Sequence, residues 1–174
     1  ANEFYDALPI KQFFKINKKW MERFVVLEKN NKKKFINLDC NIKKVEKKIG
    51  FKISKNQKII EYSPLGLEYL KIISKKINKK KGGLLIIDYG YLENSMKDTL
   101  MAIKNHNNSN ILKEFGNSDI THKLNIVSAT FQLWKNPTAI NAVTIKKYEI
   151  FIREKFVIFK YLNNFPFINP SWFY

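Results

Sequence analysis

Between Ile10 and Leu38 apolar residues gather in short clusters separated by polar breaks. Ile10 to Ile16 centres on Phe13 and Phe14, and Trp20 to Leu27 ends in Phe24-Val25-Val26-Leu27. Asn30, Asn31 and three lysines then make a polar turn before Phe35 to Leu38 resume the apolar character. That pattern predicts β structure over 10–40, a hairpin with a longish loop. The Lys-rich stretch 43–58 is ambiguous, and Ile49, Phe51 and Ile53 alternate as in a short strand.

The next unit is clearer. Ser63 suits a helix N-cap and Pro64 its first position. Leu65, Tyr69, Ile72, Ile73 and Ile77 follow at helical spacing and predict one apolar face. Lysines 75, 76, 79, 80 and 81 crowd the last turns, where cations complement the helix dipole, and Gly82-Gly83 predicts its end. Leu84-Leu85-Ile86-Ile87 is an unbroken apolar run, which predicts a parallel strand buried on both faces, with Asp88 at its carboxyl end. In α/β sheets ligands bind beyond the carboxyl ends of strands.

Residues 92–125 read as a long working loop with little regular structure. Beyond it the pattern weakens. Residues 143–162 mix β-branched and aromatic residues with lysines without a steady period, and 165–174 are aromatic and Pro-rich.

Composition narrows the function classes. The chain has 174 residues, about one domain, and 45% are hydrophobic, enough for a sizeable core. Its single cysteine, Cys40, excludes an internal disulfide framework and a four-cysteine zinc site. No apolar run reaches the roughly 18 residues of a membrane span, and no signal segment opens the sequence, so the expected compartment is cytoplasmic. A net charge of +17 suggests nucleic acid or an anionic surface, yet only Arg23 and Arg153 are arginines. Lysines spread among Asn and Ile read as a solvated surface from AT-rich coding, which argues against a nucleic-acid partner.

Chemistry candidates are few. Asn2, Glu3 and Asp6 cluster before Pro9, as the acidic and amide edge of a small-molecule pocket or as a turn or helix cap. Asp88 is a stronger candidate, because an ionised group beside a dry sheet needs a partner or a ligand; its bland alternative is a cap. His106 and His122, with Glu114 and Asp119 between them, match no ordinary zinc spacing, so no metal is expected. Cys40 stands among lysines that would favour its thiolate, though a lone cysteine more commonly serves as a small hydrophobe. The sequence contains no G-x-S-x-G, no G-x-G-x-x-G and no Walker loop.

Five ordered blocks carry a resemblance. Ala1-Asn2-Glu3-Phe4-Tyr5-Asp6-Ala7-Leu8-Pro9 resembles the N-E-F-F-D-A-L-P motif of the MidA family of S-adenosylmethionine-dependent methyltransferases. Trp20 to Val25 is similar to that family's W-x-E-R-x-V, and Glu61-Tyr62-Ser63-Pro64 to its E-x-x-P region. Gly82 to Tyr91 resembles G-G-x-x-L-I-I-D-Y-G-Y. Asp98-Thr99-Leu100-Met101-Ala102, His106 and Gly116 to His122 resemble its D-T-L-Q-A, H and G-E-A-D-L-T-A-H blocks.

The resemblance implies an α/β fold, a partial Rossmann-like class I methyltransferase sheet with an inserted β-rich subdomain. It places the C-terminal part of a methyltransferase domain at 1–125, with the insertion at 10–60. Residues 126–174 are expected as a divergent tail, frameshifted or partly disordered. It implies S-adenosylmethionine as cofactor and, from the mitochondrial relatives, a protein arginine as substrate. By the same likeness Asn2, Glu3 and Asp6 would orient the attacking nitrogen, Asp88 and Tyr89 would line the cofactor, and Asp98, Asp119, Thr121 and His122 would meet the substrate. The family's glycine-rich cofactor motif is not in the sequence. The expectation is therefore a fragment inactive alone; a split enzyme completed by a second chain carrying the N-terminal half, or a basic nucleic-acid or anionic-surface module, are the alternatives.

Overall fold

The computed structural model describes residues 3–80, 83–91, 95–113, 116–125, 148–153 and 156–162. The 10–40 region is β structure: β1 (Lys11–Ile16), β2 (Lys19–Leu27) and β3 (Lys33–Asp39) form an antiparallel meander. Asn17 and Lys18, at φ 48° and 65°, make the β1–β2 turn, where left-handed backbone matches strand twist. With β4 (Ile59–Tyr62) the strands form a sheet in the order β3-β2-β1-β4. Phe13 lies opposite Ile60 in that sheet, and its ring stacks on Tyr62 with centroids 6.1 Å apart.

The ambiguous Lys-rich stretch resolves into a helix, α1 (Ile42–Ile49). Asn41 caps it by accepting from the amides of Lys43 and Lys44, and Gly50 ends it at φ 80°. The deciding signal was Val45 and Ile49, four apart, both buried on one helical face; the alternation over 49–53 straddles the helix end.

Helix α2 (Pro64–Lys80) starts as expected, with Ser63 Oγ accepting the amide of Gly66 at 3.0 Å. Its inward face keeps the expected Ile77, with Tyr69 and Ile73 packed against the same core, and adds buried Gly66, Leu70 and Ser74, whereas the expected Ile72 is 44% exposed. Gly66 faces the Tyr5 ring, and a Cβ there would stand 3.2 Å from Ser63 Cβ, so the close approach sets the face. Gly82, read as part of the helix stop, lies outside the described residues.

Strand β5 (Gly83–Tyr91) is the expected strand, but its pairing differs from expectation. Over most of its length it runs antiparallel to a later strand, β11 (Phe156–Leu162), and among the described residues it is parallel only to β9 (Leu124–Asn125), at Gly90 and Tyr91. An apolar run shows that a strand is buried and carries no information on its neighbour's direction. Residues 101–125, read as irregular, hold β6 (Met101–Lys104), β7 (Asn107–Ser109), β8 (Asp119–Thr121) and β9 (Leu124–Asn125). These strands are two to four residues long, too short for a period-two pattern to register. Asn105 and His106, at φ 49° and 61°, form the β6–β7 turn. Further on, β10 (Tyr148–Arg153) and β11 (Phe156–Leu162) pair as a hairpin, giving the sheet order β10-β11-β5-β9.

Two cores result. Tyr5, Leu70, Ile77 and Ile86 pack between α2 and β5, and Phe13, Val45, Ile49, Ile60 and Met96 pack under the β1–β4 sheet. Cys40 packs against the second core, and burial together with Glu22 and Asp39 pushes its thiol up, against the thiolate reading. Through space those carboxylates outweigh the lysines beside it in sequence. No helix among the described residues is long and apolar enough to cross a membrane.

Candidate functional site

The site is built where the segment 3–6 crosses the carboxyl end of β5. Asp88 is fully buried there. Its Oδ2 accepts the amides of Phe4, Tyr5 and Asp6 at 3.2, 2.9 and 3.4 Å, and its Oδ1 accepts the amide of Tyr89 at 2.8 Å. Glu3 adds a backbone bond, its amide to Ile87 O at 2.9 Å, and takes φ 43°. One carboxylate thus pins three consecutive backbone amides and fixes the direction of the turn. Burial, and then the charge of Asp6, push the Asp88 carboxyl up to about 6, opposed by the amides it accepts.

Asp6, so positioned, is itself buried. Its Oδ2 accepts the Thr121 hydroxyl at 2.8 Å and its carbonyl accepts the His122 amide at 3.1 Å. Its Oδ1 is buried with no hydrogen-bond partner. Tyr89 lies in the field of the same carboxylates: burial first, then Glu3, Asp6 and Asp88, raise its hydroxyl pKa. His122 is buried, and burial lowers its imidazole pKa against the opposing charges of Glu61 and Asp6.

A second polar network adjoins the first. Glu61, buried on β4, accepts Gln12 Nε2 at 2.6 Å, the Thr99 amide at 3.2 Å and the Thr99 hydroxyl. Gln12 also donates to Asp98 Oδ1 at 2.7 Å and accepts from Arg23, which reaches Asp98 Oδ2 at 3.3 Å. The Arg23 guanidinium sits 3.8 Å from the Phe14 ring centroid. Thr99 Oγ1 accepts the Lys123 amide at 2.8 Å, which ties this network to the His122 segment.

The structure therefore gathers Glu3, Asp6, Asp88, Tyr89, Thr121 and His122 in one place. Asp98 belongs to the adjoining network, and Asp119 is exposed on β8. Asn2 lies outside the described residues. Sequence reasoning singled out no role for Gln12, Arg23, Glu61 or Thr99. The available signal was a carboxylate and an amide inside apolar strand patterns, Glu61 in Ile-Ile-Glu-Tyr and Gln12 beside Phe13-Phe14, since buried polar groups need partners. Two cavities border the networks. One, of about 70 Å³, touches Tyr5, Glu61, Tyr62 and His122; the other, of about 310 Å³, lies at Gly90, Lys97, Asp98 and Thr99.

Residues 1–130 match a protein family described as "Putative S-adenosyl-L-methionine-dependent methyltransferase", and the chain belongs to that family. The chain is similar to the mitochondrial protein arginine methyltransferase NDUFAF7 of Xenopus laevis, 28% identical over 123 residues, covering 70% of this chain and 28% of that protein. The Mus musculus protein of the same name is 27% identical over 123 residues, covering 27% of its length. The chain thus spans little more than a quarter of the curated relatives it matches. Its α/β fold is that of two crystal structures from Burkholderia thailandensis. The first, a native structure, has a TM-score of 0.64 at 14% identity, covering 92% of this chain and 54% of that one. The second, bound to S-adenosyl-homocysteine, has a TM-score of 0.63 at 15% identity, covering 92% and 52%.

The family's cofactor is S-adenosylmethionine. The residues present fit part of it. The unpartnered Asp6 Oδ1 is an acceptor for an amine or hydroxyl hydrogen, and exposed Glu3 is a second carboxylate on the same segment. Asp88 is committed to backbone amides, which makes it a positioning group for that acceptor.

Proposed function

We propose that these residues form the acceptor-side portion of a methyltransferase that modifies an arginine nitrogen of a protein, with β5, β9, β10 and β11 as one flank of a Rossmann-like class I sheet and 10–60 as its inserted β-rich subdomain. The observation that carries this reading is Asp6: a carboxylate held by an Asp88-pinned turn, bonded to Thr121, with one buried oxygen left open. The named relatives act on protein arginine, which supports that acceptor class.

When bound, S-adenosylmethionine supplies an electrophilic methyl on sulfonium sulfur. An acceptor nitrogen held beside it would take up that methyl, and the proton the nitrogen releases would pass to a neighbouring carboxylate such as Asp6 or to water. Asp6 and Glu3 orient donors at the reacting end, Asp88 holds the turn that carries them, and Thr121 with His122 close the side facing β8. Tyr89 borders the proposed site and Asp98 its adjoining network, and Asp119 and Asn2 stay candidates by the resemblance alone.

The 174 residues contain no match to the family's glycine-rich cofactor motif. We therefore propose that the remaining wall of the donor pocket comes from further sequence, in the same polypeptide or from a second chain. Calorimetry with S-adenosylmethionine tests this: the 174-residue chain shows no specific binding, and micromolar affinity would overturn the need for a complement. Labelled methyl transfer to arginine peptides by the completed enzyme tests the acceptor. The relatives' names place them in mitochondria, and imaging of a tagged chain distinguishes that compartment from the cytoplasm.

A further inference from the structure

Three residues that line one cavity each carry a buried polar atom without a hydrogen-bond partner: Tyr5 Oη, Tyr62 Oη and His122 Nε2. Tyr5 and His122 are only 3% and 6% exposed. Unsatisfied buried polar groups are costly, so three on residues around one cavity point to a ligand that satisfies them together. Glu61 borders the same cavity, and Leu67, Leu70 and Met96 supply apolar lining. At about 70 Å³ the space exceeds the roughly 10–15 Å³ that admits a single water.

The chemistry of the wall selects the occupant. Phenol oxygens accept hydrogen bonds, and Glu61 adds negative charge. Burial disfavours the charged form of His122, and its ring bonds the backbone of Lys123 and Tyr5, which leaves Nε2 open to a donor. Acceptors dispersed around an apolar slot match a planar cation on an aliphatic stem. A guanidinium has five hydrogens in a rigid fork and is weakly hydrated, whereas an ammonium is a compact, strongly hydrated point charge.

We propose that this cavity receives the guanidinium of an arginine side chain, bonded by Tyr5 Oη, Tyr62 Oη and His122 Nε2 in the field of Glu61. The inference rests on the protein-arginine reading above and assigns that substrate's head group a place.

The test uses the 174-residue chain and three small probes, with the His122 imidazole followed by NMR. Methylguanidinium should shift the His122 signals saturably, at least tenfold more tightly than its neutral isostere methylurea and more tightly than methylammonium. Tyr62→Phe should weaken that binding several-fold, and Glu61→Gln at least tenfold. Tyr62→Phe removes one oxygen and keeps the ring packed, so it reports on the cavity even if Glu61→Gln unfolds the chain. Equal responses to methylguanidinium and methylurea, or no response of His122, would overturn the proposal and leave a water-filled cavity. In the completed enzyme the two readings separate. Methylguanidinium binding without transfer to arginine peptides defeats the arginine-methylation reading and supports the cavity. Arginine methylation with an unchanged KM in Tyr62→Phe defeats the cavity and supports the methylation.

Discussion

Thr121 donates its hydroxyl to Asp6 at 2.8 Å across 115 residues of chain. This bond ties the β8 segment to the turn beside β5, and it occupies one of two buried carboxylate oxygens. Thr121→Val keeps the side-chain shape and removes the donor. The expected loss is about 1–3 kcal/mol in urea denaturation, because Asp6 is left with neither side-chain oxygen paired. Thr121→Ser should restore most of that loss. If Thr121→Val matches the parent, the bond does not hold the site together.

Asp88 supports more backbone than any other side chain described here. In Asp88→Asn one oxygen becomes an NH2 that cannot accept, so either the Tyr89 amide or the amides of 4–6 lose their partner. A destabilisation of about 2–4 kcal/mol is expected, since bonds to a charged acceptor are lost and buried donors remain. Amide hydrogen exchange should quicken at Tyr5 and Asp6 before it does in the β1–β4 sheet. Uniform loss of protection would contradict a local role.

Two buried groups give opposite pH dependence. Burial depresses the His122 pKa below its ordinary 6.5. Between its folded and unfolded values the unfolded chain binds the extra proton, so its contribution is intact above about 6.5 and is lost as pH falls. Asp88 is raised from 3.8 to about 6. From about 4 to about 6 the folded chain holds the extra proton, so the contribution of Asp88 is present below that window and lost as pH rises through it. Urea midpoints measured across that range should show a shallower acid-side decline in His122→Asn. In Asp88→Asn the decline should be steeper. The reverse order of slopes would refute both assignments.

Ile60 is fully buried in the core under the β1–β4 sheet, away from the Tyr5–Leu70–Ile86 core. Ile60→Ala should cost about 2–5 kcal/mol through lost burial and a residual cavity. Hydrogen exchange should place the greatest loss in β1, β4 and α1. Equal loss in α2 and β5 would mean that the two cores open as one unit.

Cys40 should alkylate more slowly than an unstructured cysteine at neutral pH, because burial, Glu22 and Asp39 raise its thiol. Glu22→Gln should speed the reaction. A rate at or above that of an unstructured thiol would restore the lysine-activated reading.

The chain's own order of residues determined the elements that depend on neighbours in sequence. Phe13-Phe14 and Phe24 to Leu27 specified strands, Ser63-Pro64 specified a helix start, and Leu84 to Ile87 specified a buried strand. The family resemblance also lay in contiguous blocks, so Asp6, Asp88, Thr121 and His122 were singled out there as candidates, and the fold brings them together. Tertiary structure decided what those residues touch. Strand direction at β5 depends on a hairpin some seventy residues away, and no local period encodes it. Asp88 read as a ligand group became a backbone clamp because the 3–6 segment crosses its carboxylate. Glu61, Gln12 and Arg23 come from three strands of the β1–β4 sheet and Thr99 from a later segment, and they meet only in the folded chain, since hydrogen bonds between distant residues are set by packing and leave no spacing in the sequence.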